Sequence, residues 1–141
     1  MLTYLLIAVA IFVVYKLFSK KTDDAEETFE PIEFQKFTPR TLSKYNGKDD
    51  KRVLMAVNSR VYDVSASKNH YGPGGMYENF AGRDASRGLA KHSFEIEHLT
   101  PLDRPIDDLK DLTEEERSAM LQWAEFFGNK YPHCGDLVES L

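Results

Sequence analysis

The sequence predicts an α+β domain, with a small sheet and several short helices, carried behind a single apolar helix. Three observations support this expectation. Two β-rich runs flank Asn58-Ser59, a capped amphipathic segment follows Thr113, and Leu2 to Phe18 is apolar on every side. A chain of 141 residues has room for one ordinary domain and an attachment. Hydrophobic residues make up 42% and charged residues 29%, too apolar a balance for a disordered chain, so the remainder should fold.

The apolar run LTYLLIAVAIFVVYKLF has no helical stripe, which marks a helix in apolar surroundings rather than one lying on a core. Residues 1–18 therefore read as a transmembrane anchor. At about 26 Å the helix falls slightly short of the ~30 Å hydrocarbon layer, so Lys16 would snorkel at its end. A cleaved signal peptide is disfavoured: no basic residue precedes the run and no small-x-small cleavage site follows it. Lys16, Lys20 and Lys21 all lie on the C-terminal flank, which places that flank and everything beyond it on the cytosolic side. The single cysteine, Cys134, agrees with a reducing compartment. Residues 19–33, polar, acid-rich and aperiodic, read as a flexible stalk. After Phe18 there are 17 basic and 23 acidic residues, net −6, which disfavours nucleic acid and an anionic leaflet as binding surfaces.

The domain occupies residues 34–141. Thr38 as N-cap and Pro39 at the first helical position open a short helix with Leu42 and Tyr45 on one face and Gly47 as its stop. Val53 to Val57 and Arg60 to Val64 form a hairpin about Asn58-Ser59, since Asn tolerates positive φ. Asp84 to Ala90 reads as a short helix, and a turn-rich connection punctuated by Pro101 and Pro105 follows. Thr113 with Glu116 forms a capping box for the longest helix, acids fill its first turn, and Gly128 marks its end. Leu112, Met120, Trp123 and Phe127 fall near one face of that helix and read as core.

Between hairpin and short helix lies NHYGPGGMYENFAGRDASRGLA, five glycines within one short run. Gly72, Gly74 and Gly75 permit positive φ and close approach of a large flat object, and Pro73 stiffens the turn. Neither G-x-x-x-x-G-K-[ST] nor a G-x-G-x-x-G set between strand and helix is present, so phosphate-cradle and dinucleotide readings fail. Two readings stay open on the residues alone: a pocket wall bearing tyrosines, or a glycine-rich surface loop.

The tract from Arg52 to Ala90 resembles the haem-binding domain of the membrane-associated progesterone receptor family, related to cytochrome b5, and is most like its fungal damage-response members. The likeness runs from about Phe37 to Leu137 and rests on Y-G-P-x-G-x-Y-x-x-F-A-G-x-D-A-S-R-G-L-A, a long and specific pattern. It implies a cytochrome b5-like fold in which Tyr77 is the axial ligand of ferric haem b and Tyr71 lies beside the haem with hydrogen-bonding capacity. FGNKYPHCGDL resembles the family's later F-x-x-K-Y element, which implies Lys130 and Tyr131 at the other side of the pocket. A phenol of pKa near 10 binds iron as phenolate only where Fe³⁺ and nearby donors stabilise the anion, which the Lys130 ammonium can do. Tyr71 and Tyr131 can donate to the haem propionates, while Phe80, Leu89 and part of the long helix would cover the porphyrin face. Asp84 is expected to serve the loop, capping free N–H groups with Arg83 and Arg87 in reach.

His70 and His92 supply the competing possibility of a bis-histidine electron carrier, and His92 or Met76 on the open side of the iron would make it six-coordinate. His98 and His133 read as ordinary histidines. Neither paired catalytic carboxylates, a nucleophile with its base nor a hydride-carrier motif is visible, so the chain reads as no enzyme. The resemblance implies residence in the endoplasmic reticulum membrane and support of cytochrome P-450 monooxygenases of sterol synthesis. Sterol 14-demethylase is the notable partner, with links to ergosterol and to azole and DNA-damage resistance. It leaves open a haem-free sterol-binding adaptor, and an uncovered haem face could pair two copies.

Overall fold

The computed structural model describes residues 2–23 and 30–141, with side chains over 3–14 and 30–141. Helix α1 (Leu2–Asp23) runs five residues past the expected end of the anchor, into the segment expected as stalk. Its side chains from Thr3 to Val14 are all exposed. Among the described residues no helix is long and apolar enough to cross a membrane. The side chains at 15–18, which complete the expected anchor, those at 19–23, which open the expected stalk, and the stalk residues 24–29 lie outside the described residues.

The folded part comprises β1 (Gln35–Phe37), α2 (Pro39–Leu42), β2 (Leu54–Val57), β3 (Arg60–Asp63), α3 (Lys68–Tyr71), α4 (Ser86–Ala90), α5 (Glu114–Lys130) and β4 (His133–Leu137). Its sheet has the order β1-β4-β3-β2. β1 lies parallel to β4, and the other two pairings are antiparallel. The expected hairpin forms with Val57 opposite Arg60. Its turn puts Asn58 and Ser59 at φ 52° and 64°, the left-handed pair whose twist matches the flanking strands.

Strand alternation sorts the core into two layers. Val53, Met55 and Val57 join Tyr62, Val64, Met120 and Phe127 on one face, while Leu54, Ala56 and Val61 join Phe37, Leu42, Cys134 and Leu137 on the other. β1 can reach β4 only because position 135 lacks a side chain: a Cβ on Gly135 would strike the Gln35 carbonyl and the Phe37 ring. Beyond the β2 edge the chain from Gly82 to Ala85 runs alongside the strand. Gly82 N–H bonds the Leu54 carbonyl (2.7 Å), Ala56 N–H the Arg83 carbonyl (3.0 Å) and Ala85 N–H the Ala56 carbonyl (2.8 Å). This delivers α4 to the first face, where it packs on α5.

Both expected caps are present. The Thr113 hydroxyl accepts from Glu116 N–H, with Glu116 returning the bond, and Thr38 does the same with Thr41. The two hairpin strands are each one residue shorter than expected, and three helix boundaries of the domain also differ. α2 ends at Leu42 rather than running to Gly47, which takes φ 84° beyond it. α4 begins at Ser86 rather than Asp84. α5 continues through Gly128 to Lys130, since a helical glycine is costly but permitted and this one packs beneath the Tyr62 hydroxyl.

Candidate functional site

The glycine-rich loop folds back by short bonds from Gly72 N–H to Lys68, Gly75 N–H to Gly72 and Tyr77 N–H to His70 (2.8, 2.9 and 2.9 Å). Of Gly72, Gly74 and Gly75 only Gly74 uses positive φ (82°); Gly75 lies so close to the His70 carbonyl that any Cβ there would collide. This reversal sets the Tyr71 and Tyr77 rings 5.7 Å apart. Phe80 stacks near the Tyr77 ring at 6.3 Å and Phe94 meets it edge-on at 5.7 Å.

These rings form one wall of an open, largely apolar cleft. Tyr71, Tyr77 and Phe80 line it from the loop, Gly88 and Leu89 from α4, and Trp123 from α5. His92, Ser93 and Phe94 complete it from the end of α4. There the Ser93 N–H bonds the Gly88 carbonyl (2.8 Å) and the His92 N–H bonds that of Leu89 (3.3 Å), closing the helix with His92 in the left-handed region at φ 51°.

The two tyrosines differ. Tyr71 is buried, and burial first, then the neighbouring Tyr131 and Tyr77 phenols, push its pKa up to about 12, so it remains a neutral hydrogen-bond donor. Tyr77 is half-buried and its hydroxyl makes no hydrogen bond with any described residue. A flat apolar wall with one unengaged phenol oxygen suits a planar aromatic group carrying a ferric centre. No cluster of three His, Cys, Asp or Glu side chains among the described residues offers a polydentate metal site.

Lys130 and Tyr131 are not brought into the cleft. Lys130 is exposed, its ammonium 5.4 Å from the centres of both the Phe126 and Tyr131 rings. Tyr131 is buried edge-on against Tyr71 at 6.3 Å and donates its hydroxyl hydrogen to Ser67 Oγ at 2.8 Å. Because β4 starts only three residues after Lys130, the end of α5 is held to the sheet rather than turned toward the loop. Asp84 also stands apart, lining a separate narrow cavity with Leu42, Pro101 and Ile106. One of its oxygens accepts from Ser86 N–H (3.1 Å) and Ser86 Oγ (2.6 Å), and Ser86 Oγ accepts from Asn58 N–H (2.9 Å). The aspartate thus ties the start of α4 to the hairpin turn, and burial holds its pKa above the ordinary carboxylate value. Neither arginine pairs with it: Arg83 donates to the Thr100 carbonyl, and Arg87 clamps Asp107 (2.9 Å) and Asp111 (2.7 Å).

Among the histidines only His92 lines the cleft. His70 is exposed against the edge of Tyr71, so the two-histidine arrangement does not assemble, and Met76 points outward at 69% exposure. His133 pairs with Asp136 at 3.1 Å, and His98 buries an unpartnered Nδ1 away from the cleft. Ser93 and Phe94 were not anticipated as lining, and Trp123, on the helix expected to cover part of the cleft, was read as core. Trp123 carried a signal, a large ring on the same helical face as Met120 and Phe127, but it is only half-buried by them.

A four-stranded mixed sheet with a loop-and-helix cleft on one face is the cytochrome b5-like architecture. An Arabidopsis thaliana structure described as having a cytochrome b5 like fold superposes with a TM-score of 0.65 at 38% identity, covering 80% of this chain and 99% of that one. Residues 38–137 match the family model "Cytochrome b5-like Heme/Steroid binding domain". Similar proteins include "Cytochrome P450 regulator dap1" of Schizosaccharomyces pombe, 44% identical over 115 residues, and human "Membrane-associated progesterone receptor component 2", 39% identical over 103 residues. The alignments cover 81% and 73% of this chain, and 69% and 45% of the two relatives, so the chain spans less than half of the human protein. The chain belongs to the cytochrome b5-like heme/steroid binding family and, within it, to the membrane-associated progesterone receptor group.

Proposed function

We propose that this chain is a haem-binding, non-enzymatic regulator of cytochrome P-450 monooxygenases of sterol synthesis, with Tyr77 as the ligand of ferric haem b. One observation carries the reading: the unengaged Tyr77 hydroxyl in an aromatic cleft beside a phenol that stays protonated. Haem would supply a ferric centre that favours an oxygen anion over a neutral donor. Tyr77 would hold that centre through its phenolic oxygen, its proton passing to solvent at the open side of the cleft. Tyr71, its ring 5.7 Å from that of Tyr77 and its hydroxyl bonded to Tyr131, stays protonated up to about pH 12 and so adds no competing negative charge beside the site. Phe80, Leu89 and Trp123 exclude water from the flat face. Tyr131 stands behind Tyr71, and Lys130 lies over the Tyr131 ring outside the cleft.

The wider reading assigns residues 1–18 to an anchor in the endoplasmic reticulum membrane, 19–33 to the stalk and 34–141 to a cytosolic domain. The apolar, exposed surface of α1 and the three lysines on its C-terminal flank support this. The name of the fission yeast relative supports a P-450 partner. Sterol 14-demethylase is the specific candidate, linking the chain to ergosterol and to azole and DNA-damage resistance.

Absorption and electron paramagnetic resonance of haemin-titrated protein test the centre. A high-spin ferric phenolate spectrum is expected, and Tyr77→Phe should abolish most of it with the circular dichroism unchanged. Undiminished uptake by that variant would end the ligation proposal. Sterol binding by protein that takes up no haemin would replace haem with a steroid in the same cleft, and haem-dependent dimerisation would appear in sedimentation velocity.

A further inference from the structure

A tethered domain presents to its membrane only the faces that the tether can reach, so the chain length between the end of α1 and the first residue held by the domain sets the orientation. That first held residue is Glu30. The Arg52 guanidinium donates to its carbonyl and pairs with Asp63 at 3.2 Å, the two charged side chains being only 19% and 12% exposed. Ile32 packs on the core layer of Phe37 and Leu42, and the Phe34 ring meets His133 edge-on at 5.2 Å. The last four residues of the expected stalk thus lie on the domain, and six residues separate Asp23, where α1 ends, from Glu30.

Arg52 closes a compact turn. Its carbonyl accepts from Gly47 N–H at 3.1 Å, the Lys44 carbonyl accepts from Asp50 N–H at 3.1 Å, and the Pro73 ring of the glycine-rich loop rests against Gly47. The turn, the loop and the Glu30 attachment therefore share the end of the hairpin where Leu54 faces Asp63. The Asn58-Ser59 turn, tied to Ser86 and to the Leu137 N–H, forms the opposite end, ~10 Å further along the strands.

Lengths decide between the two ends. Seven Cα steps from Asp23 to Glu30 reach at most ~25 Å, and the helical residues after Phe18 rise ~7 Å, about the depth of the headgroup layer. A domain of residues 34–141 has a radius of gyration near ~13 Å and a breadth of ~35 Å. Turning the Asn58-Ser59 end to the bilayer would lift Glu30 by nearly that breadth, beyond the tether. A stalk unattached from 19 to 33 would reach ~50 Å and allow either end.

Resting on the reading of residues 1–18 as an anchor, we propose that Arg52 fixes the orientation of this domain on its membrane. The 44–52 turn and the glycine-rich loop face the headgroup layer that holds α1, and the Asn58-Ser59 turn faces away. The approach is imposed by the tether and needs no charge attraction, in keeping with a net charge of −6 beyond Phe18. It sets the loop wall of the cleft beside the lipid, so an apolar ligand passes from bilayer to cleft without crossing the domain.

Full-length chain in phosphatidylcholine nanodiscs containing a gadolinium-chelate lipid tests this, with a nitroxide attached at Lys48→Cys or at Arg60→Cys and its relaxation read by electron paramagnetic resonance. Both positions are exposed, whereas Cys134 is buried. Enhancement at position 48 should exceed that at 60 by about fivefold or more, since the effect falls with the sixth power of distances that differ by ~10 Å. Arg52→Gln/Ile32→Ser should shrink the contrast below about twofold with circular dichroism unchanged, because it lengthens the tether. Equal enhancement at both positions in the parent overturns the orientation while the anchor stands. A contrast undiminished by the double substitution overturns the role of Arg52. A contrast seen only with added phosphatidylserine and lost near 0.5 M salt assigns the approach to charge and overturns the tether. A chain that does not enter nanodiscs removes the anchor and this orientation with it.

Discussion

The two faces of the sheet are built from the same strands by the same alternation, yet one is covered by Ile32, Tyr45 and Ile106 and the other by the aromatic wall of an open cleft. On the closed face Phe37, Leu42, Leu54, Ala56 and Val61 are at 1% exposure or less, and Leu137 and Cys134 complete the layer. On the cleft face the inner layer of Met55, Tyr62, Met120 and Phe127 is equally dry, but the next layer outward, Tyr77 and Trp123, is only partly covered. Apolar area is thus spent on stability on one side and kept for a ligand on the other. The consequence is that substitutions should separate cleanly, those on the closed face changing stability alone and those in the outer cleft layer changing affinity alone.

The largest expected contrast is chemical. Burial, then the nearby Asp63 charge, pushes the Cys134 thiol up to about 12, so at pH 8 very little is thiolate. Iodoacetamide should label the native chain about a thousandfold more slowly than urea-unfolded chain, as read by mass spectrometry. Labelling at comparable rates would mean that the closed face opens readily. Next come cavities. Phe127→Ala should cost about 3–5 kcal/mol and Leu54→Ala about 2–5 kcal/mol in urea unfolding. Because Phe127 lies 5.9 Å from Tyr71 and 6.2 Å from Trp123, only the first should also weaken haemin uptake. Equal loss of uptake in both would erase the distinction between the faces.

The clamp behind the cleft should show itself in acid. Arg87 holds the carboxyls of Asp107 and Asp111 below the ordinary carboxylate range, Asp111 at about 2. A depressed acid stabilises the fold above its unfolded pKa near 4 and loses that contribution as pH falls through the folded value. Stability should therefore drop between about pH 4 and 2. Arg87→Gln should be less stable at neutral pH and flatter across that window. Asp84 runs the other way, since burial raises its pKa, with Ser86 hydrogen bonds opposing, and its protonation on acidification favours the folded state. A pH profile unchanged by Arg87→Gln would show that the loop carrying Asp107 and Asp111 is held by other contacts.

How much of this was legible in the sequence follows from how local each signal is. The hairpin at Asn58-Ser59 and the Thr113–Glu116 box are decided within four residues, and both formed as expected. β1 and β4 were missed because each is short and exists only through the other, paired across a hundred residues of chain with Gly135 making the approach possible. The loop tyrosines were legible through the family pattern, whereas His92, Ser93 and Phe94 enter the cleft through the end geometry of a five-residue helix, which no periodicity encodes. Lys130 and Tyr131 share one sequence element, but the helix end and the sheet together turn both away from the cleft.

The smallest expected effect concerns His92, where the two demands on the molecule meet at one residue. Its backbone occupies the left-handed position that ends α4, a place where glycine is free of strain and a β-carbon costs roughly 1 kcal/mol. Glycine, however, loses more backbone entropy on folding, which offsets part of the relief. His92→Gly should therefore stabilise the fold by about 0.5 kcal/mol or less in urea unfolding. It would also delete an imidazole from the cleft wall, so haemin affinity should fall while stability rises slightly. His92→Asn, tolerant of the same backbone angles, should leave stability unchanged and lower affinity to the same degree. If both variants bind haemin as the parent does, His92 is there to end a helix, and the uncovered part of the cleft is narrower than its lining implies.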